Sequence, residues 1–100
     1  MTDLEINIAL DELSTALTHV KDKKLVQEFL KCILTTSEIG EVTSRWTLVR
    51  RIKDGQTQRG IAKDLGLSLC KITRGSKELK KDDSAFGEMI DIYENHLTKQ

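Results

Sequence analysis

Basic side chains are concentrated in the middle of the chain, between Arg45 and Lys81. This basic segment holds 11 Lys and Arg residues against 3 Asp and Glu, a net charge of +8. The 100-residue chain as a whole carries 16 residues of each sign, so the remainder is acidic. A basic patch attracts phosphate, while an acidic remainder limits indiscriminate binding to polyanions. The distribution of charge therefore favours a segment that binds nucleic acid.

A helix-turn-helix pattern lies inside the basic segment, over residues 57–75. Such a motif needs a small residue where its helices cross, a glycine with positive φ in the turn, and apolar residues that fix the helix angle. Ala62 and Gly66 fill the first two roles. The internal apolar positions are Ile61, Leu65, Leu67 and Ile72. Helical hairpins in other bundles produce the same pattern, and the alternative interpretation is a solvated basic face.

The second helix of the motif turns a polar face outward if Leu67 and Ile72 face inward. Arginine can pair with guanine edges, lysine reaches guanine or phosphate, and apolar side chains touch thymine methyl groups. Residues that open the preceding helix usually meet backbone phosphates. The predicted DNA-facing residues are Gln58, Arg59, Ser68, Leu69, Cys70, Lys71, Thr73, Arg74 and Lys77.

Apolar residues three or four positions apart predict six helices and no strand, and hence one all-α domain. Helix one spans about 4–20, and helix two, from Leu25 to Leu34, is expected to be apolar on nearly all sides. Helix three starts near Thr36 behind a Thr35–Glu38 capping box and stops at Gly55. Two short helices meet at Gly66, and after the polar stretch 76–83 a last helix is capped by Ser84. The expected inner faces of helix three and the last helix are Ile39, Val42, Trp46, Val49 and Ile52, and Phe86, Ile90, Tyr93 and Leu97.

Several classes of protein are disfavoured by the same sequence. The apolar runs are too short for a membrane span, and the acidic start of the chain is unlike a secretory signal, so we expect a cytoplasmic protein. Cys32 and Cys70 stand far apart without a nearby histidine, which predicts buried structural thiols and no metal site. No catalytic Ser/His/Asp set or phosphate-cradling glycine loop is present, which disfavours an enzyme.

The chain resembles the bacterial Trp repressor family from about Leu34 to Leu97. The resemblance rests on the run from Ile72 to Ser76, on Leu79-Lys80, Gln58-Arg59 and Leu65-Gly66, and on Leu34-Thr35 before helix three. It implies an intertwined homodimer with L-tryptophan as corepressor. The implied organisation is dimerisation helices over 1–34, helix three over 35–55, the helix-turn-helix over 57–75, and a C-terminal dimerisation helix over 84–98.

The resemblance also implies a tryptophan site. Arg45 and Arg74 would flank the indole ring, Arg74 and Thr35 would hold the carboxylate, and Gly75 would leave room for the ligand. Main-chain carbonyls near Cys32 and Leu34 of the partner subunit would receive the ammonium group. Glu78 departs from the family, which commonly has a small hydroxyl residue there; the carboxylate either pairs with the ammonium or faces solvent.

The resemblance therefore implies a repressor that binds double-stranded operator DNA when tryptophan is bound and regulates genes of tryptophan biosynthesis or uptake. Two alternatives remain open from the sequence. One is a helix-turn-helix regulator of related fold that needs no tryptophan. The other is a helical dimerisation or adaptor protein whose basic segment faces solvent.

Overall fold

The computed structural model describes residues 1–98, and these fold into six α-helices without a β-strand. The all-α, six-helix class predicted from the sequence is therefore confirmed. The helices are α1 Asp3–His19, α2 Lys23–Ile33, α3 Thr36–Lys53, α4 Gln58–Leu65, α5 Leu69–Lys80 and α6 Ala85–Thr98. They belong to two compact units, Met1–Ile39 and a second unit that begins at Gly40.

Capping boxes start two of the helices. At α1 the Thr2 hydroxyl accepts from the Glu5 backbone N–H at 3.1 Å, and the Glu5 carboxylate accepts from the Thr2 N–H at 3.1 Å. At α3, Thr35 and Glu38 make the same exchange at 3.1 and 2.8 Å, as the sequence predicts. The backbone N–H and then the hydroxyl of the threonine lower the pKa of each glutamate, because both stabilise the ionised carboxylate. Each box satisfies backbone donors that a helix start leaves open.

Helix α2 differs from its predicted form in two respects. It starts at Lys23, because the Asp22 side chain caps it by accepting from the Lys24 N–H at 3.0 Å. It is also amphipathic, so the expectation of an apolar surface on nearly all sides is wrong. Its apolar side chains, Leu25, Val26, Phe29, Leu30 and Ile33, recur at helical spacing, and the other positions hold Lys23, Lys24, Gln27, Glu28, Lys31 and Cys32.

Two glycines end helices where the sequence predicts. Gly55 has φ +88° after α3, and Gly66 has φ +65° at the end of α4, conformations that favour glycine. Helix α5 is longer than expected, because the first five residues of the polar stretch 76–83 continue it to Lys80. The extension has an inward face, formed by buried Ser76 and half-buried Leu79. Ser84 caps α6 as predicted, accepting from the Gly87 N–H at 3.0 Å.

The core of the second unit is small and is supplied by four helices. Its buried hydrophobic residues are Leu48, Val49, Ile61, Ile72 and Ile90. The predicted inner positions Val49, Ile61, Ile72 and Ile90 are confirmed. Val42 is wrongly placed in the predicted core, since 46% of its surface is exposed, and Tyr93 and Leu97 are also largely exposed. Leu48 takes the inward position that the sequence pattern missed.

Aromatic side chains join α3 to α6 beside this core. The half-buried Trp46 ring stacks on Phe86 with centroids 5.9 Å apart and meets Tyr93 edge-on at 6.3 Å. Both distances suit favourable aromatic pairs. Trp46 is therefore a packing residue, as the sequence indicates.

Both cysteines are exposed, so the expectation of buried thiols is wrong. Cys70 lies two positions before the buried Ile72, and side chains two residues apart on a helix point in different directions. Cys32 belongs to α2, a helix with no buried residue.

Candidate nucleic-acid interface and ligand site

Helix α4 presents the first predicted contact residues at its N-terminal turn. The Thr57 hydroxyl caps the helix by accepting from the Gly60 N–H at 3.1 Å. Gln58 and Arg59 follow directly and are exposed, whereas Ile61 is fully buried. The buried residue fixes which side of the turn faces solvent, and Gln58 and Arg59 lie on the open side.

Helix α5 continues this exposed surface. Ser68 is its N-cap, accepting from the Lys71 N–H at 3.4 Å, and the Thr73 hydroxyl donates to the Leu69 carbonyl at 2.9 Å. Ile72 anchors the helix from beneath with no exposed surface. All nine predicted DNA-facing residues are exposed, which a groove-reading helix requires.

Ion pairs neutralise part of the basic segment but not its α4–α5 surface. Arg51 pairs with Asp64 at 3.3 Å, Lys53 with Asp91, and Lys81 with Glu78 at 2.9 Å. Within residues 1–98, no ion pair involves the cations Arg59, Lys71, Arg74 or Lys77. Two of the three acidic residues of the segment, Asp64 and Glu78, are held by these pairs. The α4–α5 surface therefore keeps cations that are free to meet phosphate.

Gly75 lies where α5 approaches α3 closely. A Cβ at this position would lie 2.4 Å from Leu48 Cδ1 and 3.1 Å from Val49 Cγ2, closer than side chains tolerate. Arg45 lies one turn before Leu48 and Val49 on the same face of α3, and it is exposed. Arg74 directly precedes Gly75 and is exposed too. Arg45 and Arg74 are therefore exposed residues that lie within one helical turn of the Leu48–Gly75 contact along their own helices.

Glu78 follows one turn after Arg74 and is half-buried. Its carboxylate accepts a hydrogen bond from Lys81 Nζ at 2.9 Å, and this ion pair is partly exposed. Solvent-exposed pairs of this kind contribute about 0–1 kcal/mol, so Lys81 can be displaced by a competing cation. The Glu78 side chain is therefore engaged in an ion pair on α5.

The other predicted ligand residues lie in the first unit. Cys32 is in the last turn of α2, and the Leu34 backbone N–H caps that helix by donating to the Leu30 carbonyl at 3.0 Å. Thr35 is exposed, and its hydroxyl oxygen is occupied as an acceptor in the capping box. Its one hydroxyl proton stabilises the Glu38 carboxylate, so a ligand carboxylate would compete with Glu38 for this donor.

Sequence reasoning missed two contributors to this region. Leu48 and Ser76 are buried at the α3–α5 approach, beside Gly75. The available signal was Gly75, since a glycine inside a helical pattern often has a packing reason. Among residues 1–98, no group of three or more His, Cys, Asp or Glu side chains is arranged to hold a metal ion. No described helix combines the length and apolar character needed to cross a bilayer.

Helices α4 and α5 are two short helices joined by a tight turn, each anchored by a buried isoleucine and exposed on its basic side. This arrangement defines the chain as a helix-turn-helix protein. The sequence model described as Trp repressor protein matches residues 8–94. The chain therefore belongs to the Trp repressor family, a family of transcriptional repressors rather than enzymes.

Relatives from two bacterial genera illustrate the similarity, and each is named Trp operon repressor homolog. The protein of Chlamydia trachomatis serovar L2 (strain ATCC VR-902B / DSM 19102 / 434/Bu) is 35% identical over 77 residues, covering 76% of this chain and 82% of that protein. The Chlamydia caviae protein is 36% identical over 74 residues, 73% of each chain. The protein of Xylella fastidiosa strain Temecula1 is 36% identical over 63 residues, covering 62% of this chain and 65% of that protein. No solved structure matches the chain at a significant level.

Proposed function

We propose that this protein is a tryptophan-dependent repressor that binds operator DNA as a homodimer in the cytoplasm and negatively regulates genes of tryptophan biosynthesis or uptake. The observation that carries the proposal is the α4–α5 surface. All nine residues predicted to face DNA are exposed there, above the buried Ile61 and Ile72. The name of the relatives, Trp operon repressor homolog, points to the same function.

Exposed apolar side chains support the homodimer. Neither α1 nor α2 buries any residue, although both carry apolar faces. On α6, Met89 and Ile92 are each 56% exposed. Apolar surface of this extent marks an interaction site. A second copy of the chain would cover it, and the α1 and α2 helices and α6 are the elements that the family places in the dimer. The large exposed residues of α1 and α2 are Leu4, Ile6, Ile8, Leu10, Leu17, Leu25, Leu30 and Ile33.

The region where α3 meets α5 supports tryptophan as the ligand. Arg45 and Arg74 offer planar guanidinium groups that stack on an indole ring, and Arg74 can also grip a carboxylate with two N–H groups. Thr35 adds a hydroxyl donor, and Gly75 keeps side-chain atoms away from the ring. Glu78 receives the ammonium in place of Lys81. Main-chain carbonyls near Cys32 and Leu34 of the partner subunit complete the ammonium site.

Binding is proposed to act through the position of α5. A ligand held between α3 and α5 favours the arrangement in which it makes more contacts, so it shifts the population toward that arrangement. In a dimer, the two α5 helices must be one DNA repeat apart, about 34–36 Å, to enter successive major grooves. Tryptophan thus controls DNA affinity through helix spacing.

Selection from a random duplex pool, with and without L-tryptophan, tests the proposal. We expect tryptophan to enrich a two-fold symmetric sequence and to tighten its binding in a gel shift. Enrichment of the same sequence without tryptophan would indicate a helix-turn-helix regulator independent of the amino acid. Absence of retention on any duplex at low salt would contradict DNA binding altogether and favour the adaptor alternative.

A further inference from the structure

A polar cleft opens at the C-terminal end of α3, outside the residues assigned to DNA or tryptophan. It is lined by Thr47, Arg50, Arg51, Asp54 and Gln56. The lining contains two guanidinium groups and one carboxylate, so it carries a net positive charge. A concave site with converging cations is suited to an anion.

Arg50 is held in this cleft without an acceptor. Its guanidinium carbon lies 4.8 Å from the centroid of the Tyr93 ring, a cation–π contact that fixes the orientation of the group. Its Nε atom is inaccessible to solvent and has no hydrogen-bond partner. A buried donor without a partner is rare in native proteins and points to a missing acceptor. No hydrogen bond joins the Arg50 side chain to the described part of the chain, so its remaining N–H groups are available to an acceptor on another molecule.

The neighbouring carboxylates offset the charge of the cleft but leave most of its arginine donors unoccupied. Asp54 forms no direct ion pair among residues 1–98, so it offsets part of the charge without occupying an N–H group of either arginine. Arg51 gives one nitrogen, Nη1, to Asp64 at 3.3 Å and keeps its other N–H groups. The Thr47 hydroxyl donates to the Thr43 carbonyl at 2.8 Å, so its proton is already used. The available donors are therefore the guanidinium groups of Arg50 and Arg51 and the side-chain amide of Gln56.

The backbone around these donors is ordered by hydrogen bonds of its own. The Asp54 N–H donates to the Arg50 carbonyl at 3.0 Å, and the Gln56 N–H donates to the Arg51 carbonyl at 3.1 Å. Gly55 takes the left-handed conformation between them. The end of α3 thus presents its side-chain donors from a fixed turn, which reduces the entropy that ligand binding would cost.

We propose that this cleft binds a phosphate group, with Arg50 as the principal donor and Arg51 and Gln56 as supporting donors. The planar guanidinium matches two phosphate oxygens and forms charge-assisted hydrogen bonds with them. The phosphate comes either from the DNA backbone or from a free phosphate-bearing ligand. Gln56 lies two residues before Gln58, which makes a backbone phosphate reachable from the same turn. Binding of a DNA phosphate at this cleft rests on the proposed function. Binding of a free phosphate-bearing ligand does not.

The first experiment titrates the full-length protein with inorganic phosphate against chloride at matched ionic strength. The readouts are the NMR signal of the Arg50 Nε–H, assigned through its absence in Arg50→Gln, and that of the Gln56 side-chain amide, which every variant retains. We expect a saturable shift in the native protein and a reduced response in Arg50→Lys, which keeps the charge but loses the planar fork. Tyr93→Leu, which removes the ring and retains the guanidinium, should weaken the response without abolishing it. Lys31→Gln removes an exposed α2 cation and should leave it unchanged.

The second experiment measures duplex affinity as a function of salt concentration for the same variants. A backbone phosphate held by Arg50 predicts that Arg50→Gln lowers the slope of log affinity against log salt by about 0.9, while Lys31→Gln does not. Thermal unfolding of each variant shows whether it keeps the native fold. If Arg50→Gln does not fold, the comparison is made with Arg50→Lys.

The two experiments together distinguish a failure of the phosphate site from a failure of the proposed DNA binding. A saturable phosphate response without any duplex affinity supports the cleft and contradicts the proposed repressor function. A changed salt slope without a response to inorganic phosphate supports the cleft with DNA as the source. A non-saturable or absent phosphate response together with an unchanged slope would overturn the phosphate site.

Discussion

The Cβ position of Gly75 stands 2.4 Å from the Cδ1 atom of Leu48, so α5 lies against α3 with no room for a methyl group between them. Leu48 is 3% exposed and cannot swing into solvent, and Val49 at 3.1 Å has a stiff, β-branched side chain. Helix α5 carries most of the predicted DNA-facing residues, and its close packing on α3 depends on Gly75. Gly75 is not itself one of the predicted DNA-facing residues.

Gly75→Ala tests this relationship. Forcing an extra methyl group into a packed site costs about 1–3 kcal/mol, against a gain of up to about 1 kcal/mol in helix propensity. We expect the free energy of unfolding, measured by urea denaturation, to fall by about 1–2 kcal/mol. Gly40→Ala is the matched control, because a Cβ there meets nothing within 4 Å and should raise stability by about 0.5–1 kcal/mol. Equal effects of the two substitutions would show that the close approach is not limiting.

Lys77→Ala addresses the exposed surface of α5. Lys77 makes no ion pair within the described part of the chain, so its charge is available for a phosphate. Loss of one phosphate contact should lower the slope of log affinity against log salt by about 0.9 and weaken duplex binding. Tryptophan affinity, measured by calorimetry, should stay close to that of the native protein. Lys24→Ala on α2 serves as the control, and a slope unchanged in both variants removes Lys77 from the interface.

Arg74→Ala should affect both ligands, since Arg74 is exposed on α5 and adjoins the α3–α5 approach at Gly75. We expect weaker tryptophan binding in calorimetry and weaker duplex binding in a gel shift. Arg74→Lys should recover part of the duplex affinity but little of the tryptophan affinity, because lysine lacks the planar fork. A variant with full affinity for the duplex in the presence of tryptophan would contradict the dual role.

Glu78→Gln tests whether the carboxylate meets the ligand ammonium. The group is partly exposed, so its contribution is discounted to about 1 kcal/mol, or roughly fivefold in L-tryptophan affinity. Indole-3-propionate lacks the amino group, and its binding should stay the same or improve in the variant. Calorimetry with both ligands separates the two effects. Parallel changes for the two compounds would place Glu78 away from the ammonium.

Glu38→Gln probes the pH dependence of the α3 capping box. The Thr35 backbone N–H, and then the Thr35 hydroxyl, lower the pKa of Glu38 below its ordinary value of 4.5. The box therefore contributes fully above pH 4.5, and its contribution is lost as the pH falls through the lowered pKa. Glutamine keeps the geometry without titrating, so the decline of stability below pH 4.5 should be shallower in the variant. Urea denaturation across this range checks the result, and an unchanged acid limb would contradict it.

Local rules account for the parts of the fold that the sequence predicts well. Thr35 and Glu38 are three residues apart, and Gly55 and Gly66 follow the last helical residues closely, so each signal is contained in a few adjacent positions. The outward face of α5 was predictable for the same reason, since one buried residue, Ile72, fixes the orientation of the whole helix. The extent of α5 was not, because Ser76 looks polar in sequence and is buried only through its packing.

The sequence by itself determined the six helices, some of their caps, the basic segment and the side of α5 that faces solvent, because these depend on spacing within one helix. The tertiary structure decided which of these residues meet. It packed Leu48 against Gly75, left Val42 and both cysteines exposed, and set Arg50 over Tyr93 without an acceptor. Contacts between residues distant in sequence depend on how helices approach one another, and no local pattern specifies that distance.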